Sequence, residues 1–225
     1  DNTLVIFTSD NGPWVETTRS MNPRAKPFIP RDHSGSAAPL KGWKMSAWDG
    51  GSKVPFIARW PKKIPAGSES AEILSTMDLL PTFAKLAQAE LPSDRTLDGK
   101  DASEFLLGKT ESSPRDDYFY YTGCLLTGVR VDQWKLVIPR SAKPEGTGWW
   151  GRLIEEIKET QLYNLDSDPG ETINVAAQHP DIVKKLMEKI AECRAELGDL
   201  DVVGSGARSF DPQERTLQSP LKKKD

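Results

Sequence analysis

The chain has 225 residues, with 30 basic and 33 acidic side chains and a formal net charge of −3. That near balance argues against a nucleic-acid footprint and selects no strongly charged partner. A hydrophobic content of 37% with 17 prolines suits a globular protein rich in ordered loops, long enough to bury its core without staples. No apolar run approaches the roughly 20 residues that a membrane span needs, and the sequence shows no secretory leader.

TLVIFTSDNGPW, from Thr3, opens with strand formers. Val5, Ile6 and Phe7 read as a strand buried on both faces, as in a parallel sheet. Asp10-Asn11-Gly12-Pro13 then carries turn chemistry, and it also sets two oxygen donors at the carboxyl end of a strand, where open α/β sheets place ligands. These residues alone leave the plain turn and the metal site both open. A core-type strand so near residue 1 needs neighbours, which suggests the C-terminal part of a larger protein.

Residues 14 to 39, punctuated by Pro23, Pro27, Pro30 and Pro39, read as a long ordered loop. Val54 to Trp60 reads as a second buried strand. Asp78 reads as the cap of a helix whose Leu79, Leu80, Phe83, Leu86 and Ala87 fall at helical spacing. After a connector from Asp98 to Gly108, four short runs suggest an antiparallel meander: Tyr118 to Tyr121, Leu126 to Val131, Trp134 to Pro139 and Gln161 to Leu165. A turn at Asp166-Ser167-Asp168-Pro169-Gly170 leads to a helix starting near Pro180, with Ile182, Val183, Leu186, Met187, Ile190 and Leu197 on one stripe.

The expected fold is α/β: part of a mixed, largely parallel sheet flanked by helices, then a small antiparallel sheet packed with a C-terminal helix. The expected divisions are a core over 1–110, the small sheet and helix over 111–200, and a tail over 201–225. Cys124 and Cys193 lack zinc spacing, and whether they pair is left open. His33 and His179 are the two histidines, so no Ser-His-Asp triad can be argued; His179 reads as a helix-start residue.

Four phrases in order carry a resemblance: TLVIFTSDNGPW, LKGWKMSAWDGGSKVPFIARWP from Leu40, STMDLLPTFAKLA from Ser75 and QLYNLDSDPGETINVA from Gln161. Over roughly residues 1 to 195 the chain resembles the C-terminal half of the type I sulfatases, arylsulfatase-like members of the alkaline phosphatase-like superfamily. The resemblance implies sulfate-ester hydrolysis by a formylglycine beside a divalent cation, usually Ca2+. It makes Asp10 and Asn11 metal ligands, and hard oxygen donors of this kind suit calcium. Counting back from Gly50-Gly51, it places the sulfate-binding lysine at Lys44, as a catalytic and substrate-binding residue. Lys41 then takes the place of a basic residue that is usually Arg. Lys41 and His33 stand as further candidate substrate contacts.

Three departures from the family pattern stand close together. Asp49 replaces a usual Glu, Lys53 a usual Arg and Met45 a usual Gly, so an ion pair and the local backbone are expected to differ. No Cys/Ser-x-Pro/Ala-x-Arg signature occurs, so the formylglycine precursor is expected in a missing N-terminal part of the same protein. That part and a sulfate ester are the expected partners; self-association through the first strand is a further expectation. By resemblance the compartment is secreted, periplasmic or lysosomal. The competing readings are a phosphodiesterase or phosphonate hydrolase of the same superfamily, and a binding module that kept the fold without the chemistry.

Overall fold

The structure, a computed structural model, describes residues 2–14 and 35–208. Strand β1 (Val5–Thr8) pairs antiparallel with β2 (Phe56–Arg59), placing Phe7 opposite Ile57. Burial of β1 on both faces is not met: Val5, Phe7 and Ile57 are 52%, 66% and 60% exposed, forming one uncovered apolar face. Every strand pairing among the described residues is antiparallel, so none of them supplies a parallel neighbour for β1. A continuous apolar run records apolar surroundings, not the direction of the neighbouring strand.

Between these strands lies the short helix α1 (Asp49–Ser52), and after them α2 (Leu79–Ala87) and α3 (Ser103–Leu106). A 3₁₀ turn, Thr76–Asp78, leads into α2, and its cap is Ser75 rather than Asp78. The Ser75 hydroxyl accepts from the Met77 amide at 3.3 Å while the Asp78 carboxylate accepts from the Ser75 amide at 2.8 Å, a capping box. The apolar stripe on α2 is also turned outward. Pro81 and Thr82 are buried, whereas Leu80 and Phe83 are exposed, as is Met77 in the preceding 3₁₀ turn.

The meander is observed as expected. β3 (Asp117–Thr122), β4 (Leu125–Val131), β5 (Trp134–Val137) and β6 (Gln161–Asn164) form a four-stranded antiparallel sheet in sequential order. α4 (Pro180–Glu196) covers one face, with Leu186, Ile190 and Cys193 packed on Leu126, Val129, Leu136 and Leu162. Pro180 fills its first position, and the His179 ring rests 4.8 Å from that of Trp134. The other face is also covered: Trp48, just before α1, packs with Val137, Tyr163 and Leu165. A short hairpin follows α4, β7 (Gly198–Asp199) paired with β8 (Val202–Val203), and its second strand lies in the stretch expected as a tail. Cys124 is exposed and Cys193 buried, and both are free. No described helix is long and apolar enough to cross a membrane.

A buried knot fastens the start of α2 to the connector and to β3. Arg115 holds Asp78 through two hydrogen bonds, Nε to Oδ2 at 2.9 Å and a terminal nitrogen to Oδ1 at 2.5 Å, and also donates to the Asp98 carbonyl at 2.9 Å. The Lys100 amide adds a bond to Asp78 Oδ1 at 2.8 Å. Burial works to raise the Asp78 carboxyl, but the bonds from Arg115 and the amides outweigh it and hold the group below the usual carboxylate range. Arg115→Met should destabilise the protein by about 3–5 kcal/mol, because a buried carboxylate loses its counter-ion. Because the folded carboxyl titrates below its unfolded value, the wild-type pair's contribution is present above about pH 4 and is lost as pH falls through the folded value. Urea denaturation of both proteins across pH 3–7 checks both points: a loss below about 1 kcal/mol at neutral pH, as for an exposed pair, would contradict the first.

Candidate functional site

Three loop segments carry the candidate residues, and backbone hydrogen bonds tie them together. After β1, the Ser9 hydroxyl donates to the Asn11 carbonyl at 2.9 Å, and Asn11 Nδ2 donates to the Gly12 carbonyl at 3.0 Å. The second bond engages the amide nitrogen and not its oxygen, and Asp10 beside it is exposed. The Gly12 amide donates to the Gly51 carbonyl at 3.0 Å, and the Lys44 amide to the Pro13 carbonyl at 3.0 Å. The Gly50 amide closes the set by donating to the Lys41 carbonyl at 2.7 Å. The structure therefore brings the segments of Asp10 and Asn11, of Lys41 and Lys44, and of Gly50-Gly51 into direct contact. His33 lies outside the described residues.

Glycine is required at this junction for close approach. A Cβ on Gly12 would run into the Gly50 carbonyl, and one on Gly50 would meet the carbonyls of Lys41 and Gly42 at 2.5 Å. Met45 occupies the opposite situation. Its φ of 74° lies in the left-handed region, inside a turn closed by the Ser46 amide on the Trp43 carbonyl at 2.9 Å. Met45 thus sets a side chain on a backbone that disfavours one.

The two lysines have different surroundings. The Lys41 ammonium lies 3.4 Å from the centroid of the Trp48 ring and 3.4 Å from the Glu171 carbonyl, and burial pulls its pKa down. Trp48 is itself held by its indole N–H donating to the Glu155 carboxylate. Lys44 is half-buried, and its loop is anchored by the amide bond to Pro13.

Asp49 does not rely on Lys53 for its charge partner. Its carboxylate is buried with the Lys135 ammonium at 2.8 Å and the Tyr120 hydroxyl at 2.8 Å, while its amide donates to Glu171 Oε2 at 2.9 Å. Lys135 also makes a close ion pair, not aligned as a hydrogen bond, with Glu171 Oε1 at 2.6 Å. Burial opposes the Asp49 charge, but Lys135 and the hydrogen bonds outweigh it and hold this carboxyl low. For Glu171 burial prevails and pushes the carboxyl up. Sequence reasoning missed this cluster because its members stand in a strand, a helix start and a turn separated by tens of residues.

A cleft of about 1230 Å³ is lined by Thr8, Asp10, Asp49, Lys53 and Tyr118 among others, but not by Asn11, Lys41 or Lys44. Among the described residues, no group of three or more His, Cys, Asp or Glu side chains is arranged to hold a metal ion. Asp10 and Asn11 fit a hard cation by their chemistry, as a carboxylate and an amide oxygen on adjacent residues, and would supply part of a coordination shell.

An α/β strand end tied to a glycine turn and a lysine loop defines the class. The chain belongs to the sulfatase family. Residues 1–89 match the Sulfatase family model, and residues 113–216 match the model described as the C-terminal region of aryl-sulfatase. The chain is 33% identical over 189 residues to N-acetylgalactosamine-6-O-sulfatase of Bacteroides thetaiotaomicron, covering 84% of this chain and 35% of that protein. It is 42% identical over 130 residues to human steryl-sulfatase, covering 58% of this chain and 21% of that protein. Among solved structures, a Bacteroides thetaiotaomicron protein described with the metabolism of multiple glycosaminoglycans superposes with TM-score 0.65 at 30% identity, over 86% of this chain and 39% of that one. A Pseudoalteromonas sulfatase gives TM-score 0.62 at 27% identity, over 85% of this chain and 37% of its own. The chain thus spans well under half the length of these relatives.

The strain at Met45 is directly testable. Met45→Gly should leave stability unchanged or raise it by up to about 1 kcal/mol, whereas Met45→Ala, which keeps the Cβ, should lower it. Thermal unfolding of the two variants checks the order.

Proposed function

We propose that the complete protein is a sulfuric ester hydrolase and that this chain contributes the metal-binding strand end and the sulfate-binding lysine of its site. The observation that carries the reading is the backbone knit of the three loops, which sets Asp10 and Asn11 beside the loop of Lys44. In this reading Asp10 and Asn11 hold a calcium ion, and a formylglycine lies outside this chain. When bound, these groups would supply a counter-charge for the sulfate and a nucleophile. Lys44 binds sulfate oxygens with a compact, mobile point charge. Lys41, committed to the Trp48 ring, shapes the loop and does not compete for that role. The substrate is a sulfate ester.

The same reading accounts for the uncovered apolar surfaces. The face of Val5, Phe7 and Ile57 and the stripe of Met77, Leu80 and Phe83 are larger than scattered surface residues explain. They seat the rest of the α/β core, of which residues 1–110 are one part and residues 111–200 a smaller appended unit. Without that cover, the isolated chain self-associates through the same face.

In the complete protein Asp10→Ala should lower turnover by about 10²-fold or more, and Lys44→Ala should lower it far more than Lys41→Ala does. Steady-state hydrolysis of an aryl sulfate with calcium titration checks both; near-normal turnover of Asp10→Ala with calcium still bound would remove the metal assignment. The isolated chain should hydrolyse no aryl sulfate and bind calcium only at about 10⁻³ M or weaker, because two donors leave most of a six-to-eight-coordinate shell to water. Calorimetry and the same assay on the purified chain measure this.

A further inference from the structure

Lys135 stands on β5, far along the chain from every candidate site residue, yet its side chain is completely buried. Its ammonium lies 2.8 Å from Asp49 Oδ1, 2.6 Å from Glu171 Oε1 and 3.9 Å from the centroid of the Tyr120 ring. An apolar side chain of similar volume would fill this space without the desolvation cost of an ammonium, so burial alone does not account for a lysine here. What the lysine adds is direction. Its donors pull together two carboxylates from separate segments, and Asp49 is gripped twice, by its side chain and by the bond from its amide to Glu171.

From Asp49 the contacts run without a gap into the candidate site. The next two residues are the glycines that bond Lys41 on one side and Gly12 on the other, and Lys44 is bonded in turn to Pro13. We propose that Lys135, together with Glu171, is a positioning residue of the site: from the C-terminal sheet it sets the Asp49–Ser52 turn and, through that turn, the Asp10–Asn11 strand end and the Lys44 loop. The role of those loops rests on the function proposed above. Removal of the ammonium leaves two carboxylates facing each other in a dry space, so one takes a proton or water enters, and either response shifts the turn.

The test uses the complete protein and the double variant Lys135→Met/Asp49→Asn. One ammonium against two carboxylates and Glu171 alone both carry a formal −1, so the double variant keeps the cluster's charge while breaking its central contact. Glu171→Gln, which keeps the shape and the acceptor for the Asp49 amide, is a milder second variant with an effect in the same direction. Asp78→Asn, in the other buried ion pair, is the control for general destabilisation. Amide hydrogen exchange at Gly12, Lys44 and Gly50 is read by NMR, alongside calcium affinity and kcat/KM on an aryl sulfate. In the double variant, exchange at these amides should speed up and calcium affinity and kcat/KM should each fall about 10-fold or more; Asp78→Asn should lower the unfolding temperature and change none of them. Native exchange at Gly12 and Lys44 in either folded cluster variant, or an equal change in Asp78→Asn, overturns the inference. A wild-type protein without calcium binding or turnover would instead remove the proposed function, while the exchange data would still decide whether Lys135 holds the turn.

Discussion

The arrangement of this protein depends on one buried cation. The Lys135 ammonium joins Asp49, at the start of a short helix in the α/β part, to Glu171, in the turn after the last strand of the C-terminal sheet. A buried charge is tolerated only when its surroundings answer it, and here two carboxylates and the face of the Tyr120 ring do so, while the Tyr120 hydroxyl donates to Asp49. The consequence is a four-stranded sheet with both faces covered. One face takes α4, and the other takes the segment of Trp48 and Asp49 that precedes the glycine turn.

That coverage explains how irregular loops hold a defined shape. The segments of Asp10, Lys41, Lys44 and Gly50 make few regular ladder bonds of their own, and an isolated loop of this composition would sample many conformations. Instead each is closed by a backbone bond to another, and Asp49 anchors the group to a rigid sheet. The cation–π contact of Lys41 with Trp48 adds a second anchor near the same turn.

The two buried ion pairs divide the work. Arg115 and Asp78 fasten the start of α2 to the connector and to the first strand of the small sheet, whereas Lys135 and Asp49 fasten the site-bearing loops to its interior. Each pair therefore crosses from the region of the Sulfatase match to that of the aryl-sulfatase C-terminal match. The three positions at which the resemblance implies other residues, Met45, Asp49 and Lys53, lie at or beside the second fastening. Asp49 is a residue with a short reach, which Lys135 meets with a long one, and Met45 keeps the left-handed turn that glycine would adopt without strain.

By itself the sequence determined the local elements whose cause is local. The four strands of the meander, the helix started by Pro180 and the turns rich in Asp, Asn and Gly follow from residue types at short spacing. It also carried the order of phrases that marks the family, and so the candidacy of Asp10, Asn11 and Lys44. The capping box at Ser75 is legible as S-x-x-D, but Asp78 reads equally well as a cap because an acid before an apolar run is also a common one. Tertiary structure alone decided which apolar faces meet: β1 and β2 pair antiparallel and expose Phe7 and Ile57, and α2 turns Leu80 outward, since periodicity marks an apolar side without naming its neighbour. It also decided which charges are buried. Asp49 and Lys135 are 86 residues apart and Asp49 and Glu171 are 122 apart, and a pairing across such separations leaves no trace in local pattern because it exists only once the sheet and the loops have closed on each other.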